Sequence, residues 1–132
     1  MSVTDLIADQ LTVMRNAIKV GKKNALIKRS GIIEGIVEIA KREGFIENYK
    51  VIEDNKQGKI KVYFKYLDDG TSVVEGLQKV SKPGRREYVA SEDVKSVMGG
   101  VGISIVSTSQ GLLTDEEARE KEIGGELICR IW

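Results

Sequence analysis

The chain's most distinctive segment reads GGVGISIVSTSQGLLT and spans residues 99–114. It begins with clustered glycines, which permit positive φ angles or a close approach of neighbouring backbone. The run from Ile103 to Val106 is rich in β-branched residues and predicts a buried strand. Three hydroxyl residues follow at 107–109, and the segment contains no charged residue. Two interpretations of these hydroxyls stay open, because they suit the reading of RNA hydroxyls and base edges and also suit local backbone groups.

Length and composition limit the organisation of the chain. Its 132 residues are 41% hydrophobic and 31% charged, which supports a core in one domain or two small modules. The formal net charge is only +1, so the whole-chain charge favours neither nucleic acid nor a membrane surface. Residues 1–66 hold 13 basic and 8 acidic residues (+5), whereas residues 67–132 hold 8 and 12 (−4). This asymmetry indicates two modules in different surroundings.

The residue types present argue against an enzyme. Histidine is absent and Cys129 is the only cysteine, so the commonest general base is missing and no internal disulfide can form. Neither a P-loop nor a complete dinucleotide fingerprint occurs. An enzyme with Ser107 or Ser109 as nucleophile is the rival hypothesis, but neither serine has an obvious base. We predict no catalytic residue, no metal site and no cofactor, and Cys129 alternates with apolar neighbours that place its thiol in the core.

Sequence signals for export or membrane insertion are missing. No apolar run approaches the ~20 residues that a membrane span needs. The N-terminus has no basic region followed by an apolar one, as a secretory signal would. We therefore expect a cytoplasmic protein without a membrane partner.

The first 67 residues predict the element order α-β-α-β-β. An apolar stripe at helical spacing begins after Thr4 and ends at Gly21, and Ser30 is placed to cap a second helix that ends at Arg42. Strands are predicted at 25–27, 45–52 and 59–66. The last strand alternates between apolar residues and a face with Lys59, Lys61, Tyr63 and Lys65. A solvated sheet face, a nucleic-acid face and a protein-adaptor surface are all compatible with this pattern.

Residues 68–132 predict mostly antiparallel β-structure with short helices. Thr114 and Glu117 match a capping box at the start of one of these helices. The other predicted elements are a strand at 72–80 interrupted by Gly76, a type II turn at 82–85, a helical turn at 91–98, a turn at 123–126 and a final strand at 127–132. The fold class is therefore α+β, with tightly packed modules at residues 1–67 and 68–132.

These segments also resemble a known family. The stretches 102–114 and 124–132 are similar to the C-terminal signature of the eighth ribosomal protein of the small subunit, in its bacterial form. The stretches 5–9, 42–46 and 80–85 fall in family order as well. The resemblance implies two packed α/β modules and a structural constituent of the small ribosomal subunit. It further implies a primary binder of the central domain of 16S ribosomal RNA, needed for platform assembly beside neighbouring ribosomal proteins, with a translational repressor of its own operon messenger RNA as the alternative.

The same resemblance assigns the RNA-binding residues. The C-terminal module would contact the RNA through Ser107, Thr108, Ser109, Gly124, Gly125, Glu126 and Tyr88. The first helix would meet a second RNA segment through Thr4, Arg15 and Asn16, where Arg15 belongs to a basic helix end with Lys19, Lys22 and Lys23. From the residues alone, this basic end is equally compatible with a solvated, dipole-complementing helix terminus.

Overall fold

The computed structural model describes residues 5–132, which form three α-helices and eight β-strands. The elements are α1 (Leu6–Lys19), β1 (Asn24–Lys28), α2 (Gly31–Arg42), β2 (Ile46–Ile52), β3 (Lys59–Phe64), β4 (Leu77–Lys79), β5 (Tyr88–Val89), β6 (Ile103–Thr108), β7 (Gly111–Thr114), α3 (Asp115–Glu120) and β8 (Gly125–Ile131). Single 3-10 turns occur at Ser91–Asp93 and Met98–Gly100. The predicted α+β class is confirmed, with an N-terminal α/β module followed by a mostly β region. None of the helices in this part of the chain is long and apolar enough to cross a membrane.

Contacts divide the described residues into two compact units, of which the first comprises residues 9–75. Its antiparallel sheet has the order β1-β3-β2. Helix α2 begins as predicted at Ser30, whose Oγ accepts a hydrogen bond from the Ile33 amide at 3.2 Å. The Gln10 side chain of α1 accepts a hydrogen bond from the Lys28 amide of β1 at 2.9 Å. The core of this unit includes Leu11, Met14, Ile27, Ile33, Ile36, Val37, Ile60 and Val62.

The chain beyond β3 stays attached to this first unit. Tyr66 forms an isolated bridge with Ser72, and the Val73 amide donates to the Lys65 carbonyl at 3.0 Å. These contacts hold the loop against the sheet as far as Glu75. The module boundary between residues 67 and 68 falls within this loop and stays a prediction.

The second unit comprises residues 5–8 and 76–132. Its sheet has the order β4-β8-β6-β7, and the short strand β5 also pairs with β8. Strand β8 lies between β4 and β6. Its Cys129 is fully buried, as are Ile105 and Val106 of β6. This confirms the predicted core position of the thiol. The predicted capping box is also present, since Thr114 and Glu117 bond reciprocally at the start of α3.

Several predicted elements of this unit are wrong. The strand at 72–80 is only Leu77–Lys79, and the helical turn at 91–98 is only Ser91–Asp93. The turn at 82–85 closes through the Arg85 amide and Lys82 carbonyl at 2.9 Å, but Gly84 lacks the positive φ of a type II turn. Gly125, predicted in a turn, begins β8 instead. Strand β7, which forms a hairpin with β6, was not predicted.

Candidate nucleic-acid interface

Three of the predicted RNA-binding residues lie side by side across three strands of the second unit. Glu126 of β8 is directly opposite Tyr88 of β5 and directly opposite Ser107 of β6. Directly opposed residues of antiparallel strands project from the same face of the sheet. Tyr88, Glu126 and Ser107 therefore form one transverse line of side chains, which we call the polar row.

The polar row faces away from the core, because the alternate residues of the same strands point into it. Val106, Leu127 and Val94 form a buried cluster, against which Val89 and Val80 pack. Side chains alternate between faces along a strand, so burying these valines and Leu127 turns the intervening residues outward. The Tyr88 side chain is 70% exposed, whereas Ser107 and Glu126 are partly buried.

The hydroxyl residues at 107–109 do not form one uniform surface. Thr108 ends β6 opposite Gly111, and Ser109 and Gln110 make the exposed tip of the β6–β7 hairpin. The Thr108 hydroxyl donates to the Gly111 carbonyl at 2.8 Å and accepts from the Gln110 amide at 3.0 Å. Thr108 thus follows the local interpretation. The hydroxyls of Ser107 and Ser109 make no hydrogen bond within residues 5–132, which leaves them available to a ligand.

The two glycines before Glu126 allow strands to approach closely. A Cβ on Gly125 would lie 2.1 Å from the Ser107 carbonyl oxygen, and a Cβ on Gly124 would lie 2.3 Å from the Val89 carbonyl oxygen. Both distances are impossible for real side chains. The structure gives Gly124 and Gly125 this packing role, through which they set the position of Glu126 beside Ser107.

A hydrogen-bond network fixes the Glu126 carboxylate. Its Oε2 atom accepts a hydrogen bond from the hydroxyl of Ser81, a fully buried residue. The same Oε2 atom lies 3.2 Å from the Arg86 Nη1 atom. The Ser81 hydroxyl in turn accepts from the Glu87 amide at 3.3 Å. With Oε2 held in this way, the second carboxylate oxygen, Oε1, makes no hydrogen bond within residues 5–132 and can accept one from a ligand.

Ser81 and Arg86 were not identified from the sequence. They flank the turn in which Lys82 and Arg85 form an isolated antiparallel bridge. A hairpin interpretation of this turn would have brought Ser81 and Arg86 together, because residues on either side of a tight turn are neighbours. What no local signal could reveal is that both meet Glu126, which is distant in the chain.

The remaining predicted residues do not join the polar row. Arg15 and Asn16 are exposed on α1, in the first unit, where the Arg15 Nη2 atom donates to the Thr12 hydroxyl at 3.0 Å. Thr4 lies outside the described residues. The basic helix end therefore belongs to the first unit, whereas the residues of the polar row belong to the second.

The chemistry of the polar row suits recognition. It offers neutral hydroxyls, an oriented carboxylate and an exposed phenol, and the chain has no histidine to activate a serine. Within residues 5–132 no cluster of potential metal ligands occurs. Burial raises the pKa of the Cys129 thiol to about 12, so this thiol is neutral and unreactive near pH 7.

Comparisons with known proteins agree on one family. The family model described as Ribosomal protein S8 matches residues 5–132. A protein of Thermodesulfovibrio yellowstonii is 51% identical over 130 residues, covering 98% of this chain and 99% of the relative. Proteins of Lactobacillus helveticus and Streptococcus equi subsp. zooepidemicus are 52% and 54% identical over the full length of both chains. All three relatives are named small ribosomal subunit protein uS8.

Proposed function

Because this chain belongs to the ribosomal protein S8 family, and is therefore a structural ribosomal protein rather than an enzyme, we propose that its polar row binds 16S ribosomal RNA. The binding site on the RNA is the central domain, where the protein supports assembly of the platform. The protein works in the cytoplasm, with neighbouring proteins of the small subunit as its other partners. The observation that carries the proposal is the alignment of Tyr88, Glu126 and Ser107 across three strands.

The neutral part of the polar row matches the chemistry of RNA. An RNA helix displays 2′-hydroxyls and base edges in a wide, shallow minor groove, and these groups both donate and accept hydrogen bonds. The hydroxyls of Ser107 and Ser109, which have no hydrogen-bond partner in the described part of the chain, can do the same. The exposed Tyr88 ring supplies an aromatic surface for a base or ribose.

Glu126 adds specificity to this surface. A carboxylate accepts hydrogen bonds only, so it selects base amino groups or ribose hydroxyls and repels phosphates. The Arg86 guanidinium at 3.2 Å offsets that repulsion, and the buried Ser81 hydroxyl fixes the direction of the carboxylate. The network thus lets an acid lie close to RNA in one orientation.

A second contact is proposed for the first unit. Arg15 and Asn16 are exposed on α1 and carry a cation and an amide, which suit a phosphate and a base edge respectively. We assign Thr4 to the same contact by family resemblance. This contact positions the RNA, and the polar row specifies it.

The first test measures affinity for a short fragment of the central domain of 16S ribosomal RNA. The variant Ser107→Ala with Ser109→Ala removes two neutral hydrogen-bonding groups. At about 0.5–1.5 kcal/mol for each hydrogen bond, the affinity falls roughly 5- to 150-fold. The dependence of affinity on salt stays as in the native chain, since neutral contacts release no counterions.

Ser96→Ala is the matched control, because Ser96 is an exposed serine of the same unit outside the polar row. It leaves the affinity unchanged. Circular dichroism confirms that all variants keep the native fold. If the double variant binds as tightly as the Ser96→Ala chain, the polar row is not the RNA-reading surface.

The alternative partner, the messenger RNA of the protein's own operon, would use the same surface, because the polar row reads RNA chemistry rather than its origin. Competition between this messenger and the ribosomal fragment for one binding site distinguishes the cases. If the messenger displaces the ribosomal fragment, and binds the Ser107→Ala, Ser109→Ala variant more weakly than the native chain, repression is supported. Without displacement, the ribosomal role stands alone.

A further inference from the structure

The sheet of the first unit has an outward face that the proposed function does not use. Ile60, Val62 and Phe64 of the central strand β3 are buried, so the alternate residues Lys59 and Lys61 point away from the core. Because β1 and β2 pair with β3 on either side, the residues opposite these lysines share the outward face. The sheet therefore presents a surface of three adjacent strands.

Lysine is the most frequent residue type on this outward face. Lys59 is opposite Lys28 of β1, and Lys61 is opposite Lys50 of β2. We call Lys28, Lys50, Lys59 and Lys61 the lysine face. The other outward positions of the paired strands are Leu26, Ile52, Tyr63, Asn24 and Asn48. We call these nine outward positions the grid, and none of them is a carboxylate.

The charges of the lysine face are not compensated. None of its four lysines forms an ion pair or a side-chain hydrogen bond with any part of the chain that the structure describes. The neighbouring Arg29, in contrast, lies 3.1 Å from a Glu34 oxygen and 3.6 Å from a Glu53 oxygen. Like charges directly opposite across a sheet are destabilising, so a bound polyanion relieves two repulsive pairs.

The composition of the grid favours a nucleic acid as that polyanion. Tyr63 lies in the next register beyond Lys61, whose ammonium nitrogen is 5.5 Å from the centre of the Tyr63 ring. Asparagines are opposite Tyr63 on both sides and supply amide donors. Lysines interleaved with an aromatic ring and amides fit phosphates and sugars, whereas an acidic peptide needs only the charges.

We propose that the lysine face binds the phosphate backbone of an RNA helix without regard to its sequence. This contact is chemically distinct from the polar row, because it consists of cations that displace counterions, whereas the polar row consists of neutral groups and one acid. It also stands independently of the proposed function, since the charges of the grid carry it. The chain's net charge of +1 does not reveal it, because acids elsewhere cancel these lysines.

The test measures the affinity of the full chain for a short RNA duplex of unrelated sequence, over a series of salt concentrations. Lys50→Gln with Lys61→Gln removes one directly opposed pair and two phosphate contacts. The slope of log affinity against log salt becomes shallower by about 1.5, and affinity at low salt falls roughly tenfold. Lys50→Arg with Lys61→Arg keeps the charge and the native slope.

Lys95→Gln with Lys121→Gln is the control of equal net charge, because both lysines are exposed but belong to the second unit. It leaves the slope nearly native if the lysine face is the site. Equal losses in both glutamine variants, or an unchanged slope in the Lys50/Lys61 variant, overturn the proposal. Binding to poly-glutamate is measured in parallel. If the Lys50→Gln, Lys61→Gln variant loses this binding while its RNA slope stays native, the proposal is overturned in favour of an acidic protein partner.

Failure of this proposal is distinguishable from failure of the proposed function. Substitution of Ser107 and Ser109 changes the affinity for the ribosomal fragment at a constant salt slope, whereas substitution of Lys50 and Lys61 changes the slope on any RNA helix. The two pairs of variants therefore report on separate surfaces. A native slope in the lysine variant contradicts only the lysine face.

Discussion

Ser81 illustrates how one buried hydroxyl can orient a partly buried carboxylate. Its Oγ atom donates to Glu126 and accepts from the Glu87 amide, so it links the segment after the turn at 82–85 to strand β8. The residue is fully buried, so removal of its hydroxyl takes away a hydrogen-bond partner inside the protein. Buried polar groups left without partners cost more than the lost bond itself.

Ser81→Ala should therefore lower stability measurably. The Glu87 amide loses its acceptor and the Glu126 carboxylate loses a donor, so the free energy of unfolding falls by about 1–3 kcal/mol. Urea denaturation at pH 7 measures this loss. Ser109→Ala is the control, because its exposed hydroxyl makes no bond within residues 5–132, and it shifts stability by about 0.5 kcal/mol at most. Equal stabilities of the two variants would contradict the role given to Ser81.

Strand β8 organises the second unit at the scale of elements. It pairs with β4, β5 and β6, and its first residues bring Glu126 between Tyr88 and Ser107. The close approach at Gly125 is a condition of this arrangement, because the Ser107 carbonyl occupies the space that a Cβ would take. The pairing of β6 with β8 and the geometry of the polar row thus depend on one glycine.

Gly125→Ala tests this dependence. The added methyl group forces β6 and β8 apart at the polar row, which lowers the free energy of unfolding by about 1–3 kcal/mol and weakens RNA binding together with it. Thermal denaturation and the affinity for the ribosomal fragment report the two effects. Gly84→Ala is the matched control, since a Cβ at Gly84 meets no atom within 4 Å and φ is not positive there. Its stability should stay native, whereas a native-like Gly125→Ala chain would refute the packing role.

At the scale of the whole molecule, local patterns predicted the helices and much of the first sheet. Ser30 caps α2 and Thr114 caps α3 as their side chains indicate, because caps depend on neighbours in sequence. Gly125 and Glu126 belong to β8 and not to the predicted turn at 123–126, because Gly125 serves a contact with a strand that is distant in sequence. The members of the polar row were predicted singly, and their alignment was not. The Ser81–Glu126 hydrogen bond depends on the pairing of distant strands, which local sequence patterns do not predict.

The stability of the whole chain at alkaline pH provides a test of how tightly the second core is closed. Burial raises the pKa of the Cys129 thiol from 9.0 to about 12, with the Lys79 charge acting in the opposite direction. Below pH 9 the thiol is neutral in both the folded and the unfolded chain. Between pH 9 and 12 the unfolded chain loses the proton while the folded chain keeps it, so stability falls as pH rises.

The contribution of this thiol reaches a slope of about 1.4 kcal/mol per pH unit. Cys129→Ala removes it, so the variant is less stable at pH 7, because a cavity replaces the sulfur, but loses less stability between pH 9 and 11 than the native chain. Urea denaturation across this range measures both slopes. Ser109→Ala should keep the native slope, because this substitution leaves the buried thiol in place. Parallel curves for the native and Cys129→Ala chains would mean that the core opens enough for the thiol to ionise in the folded state.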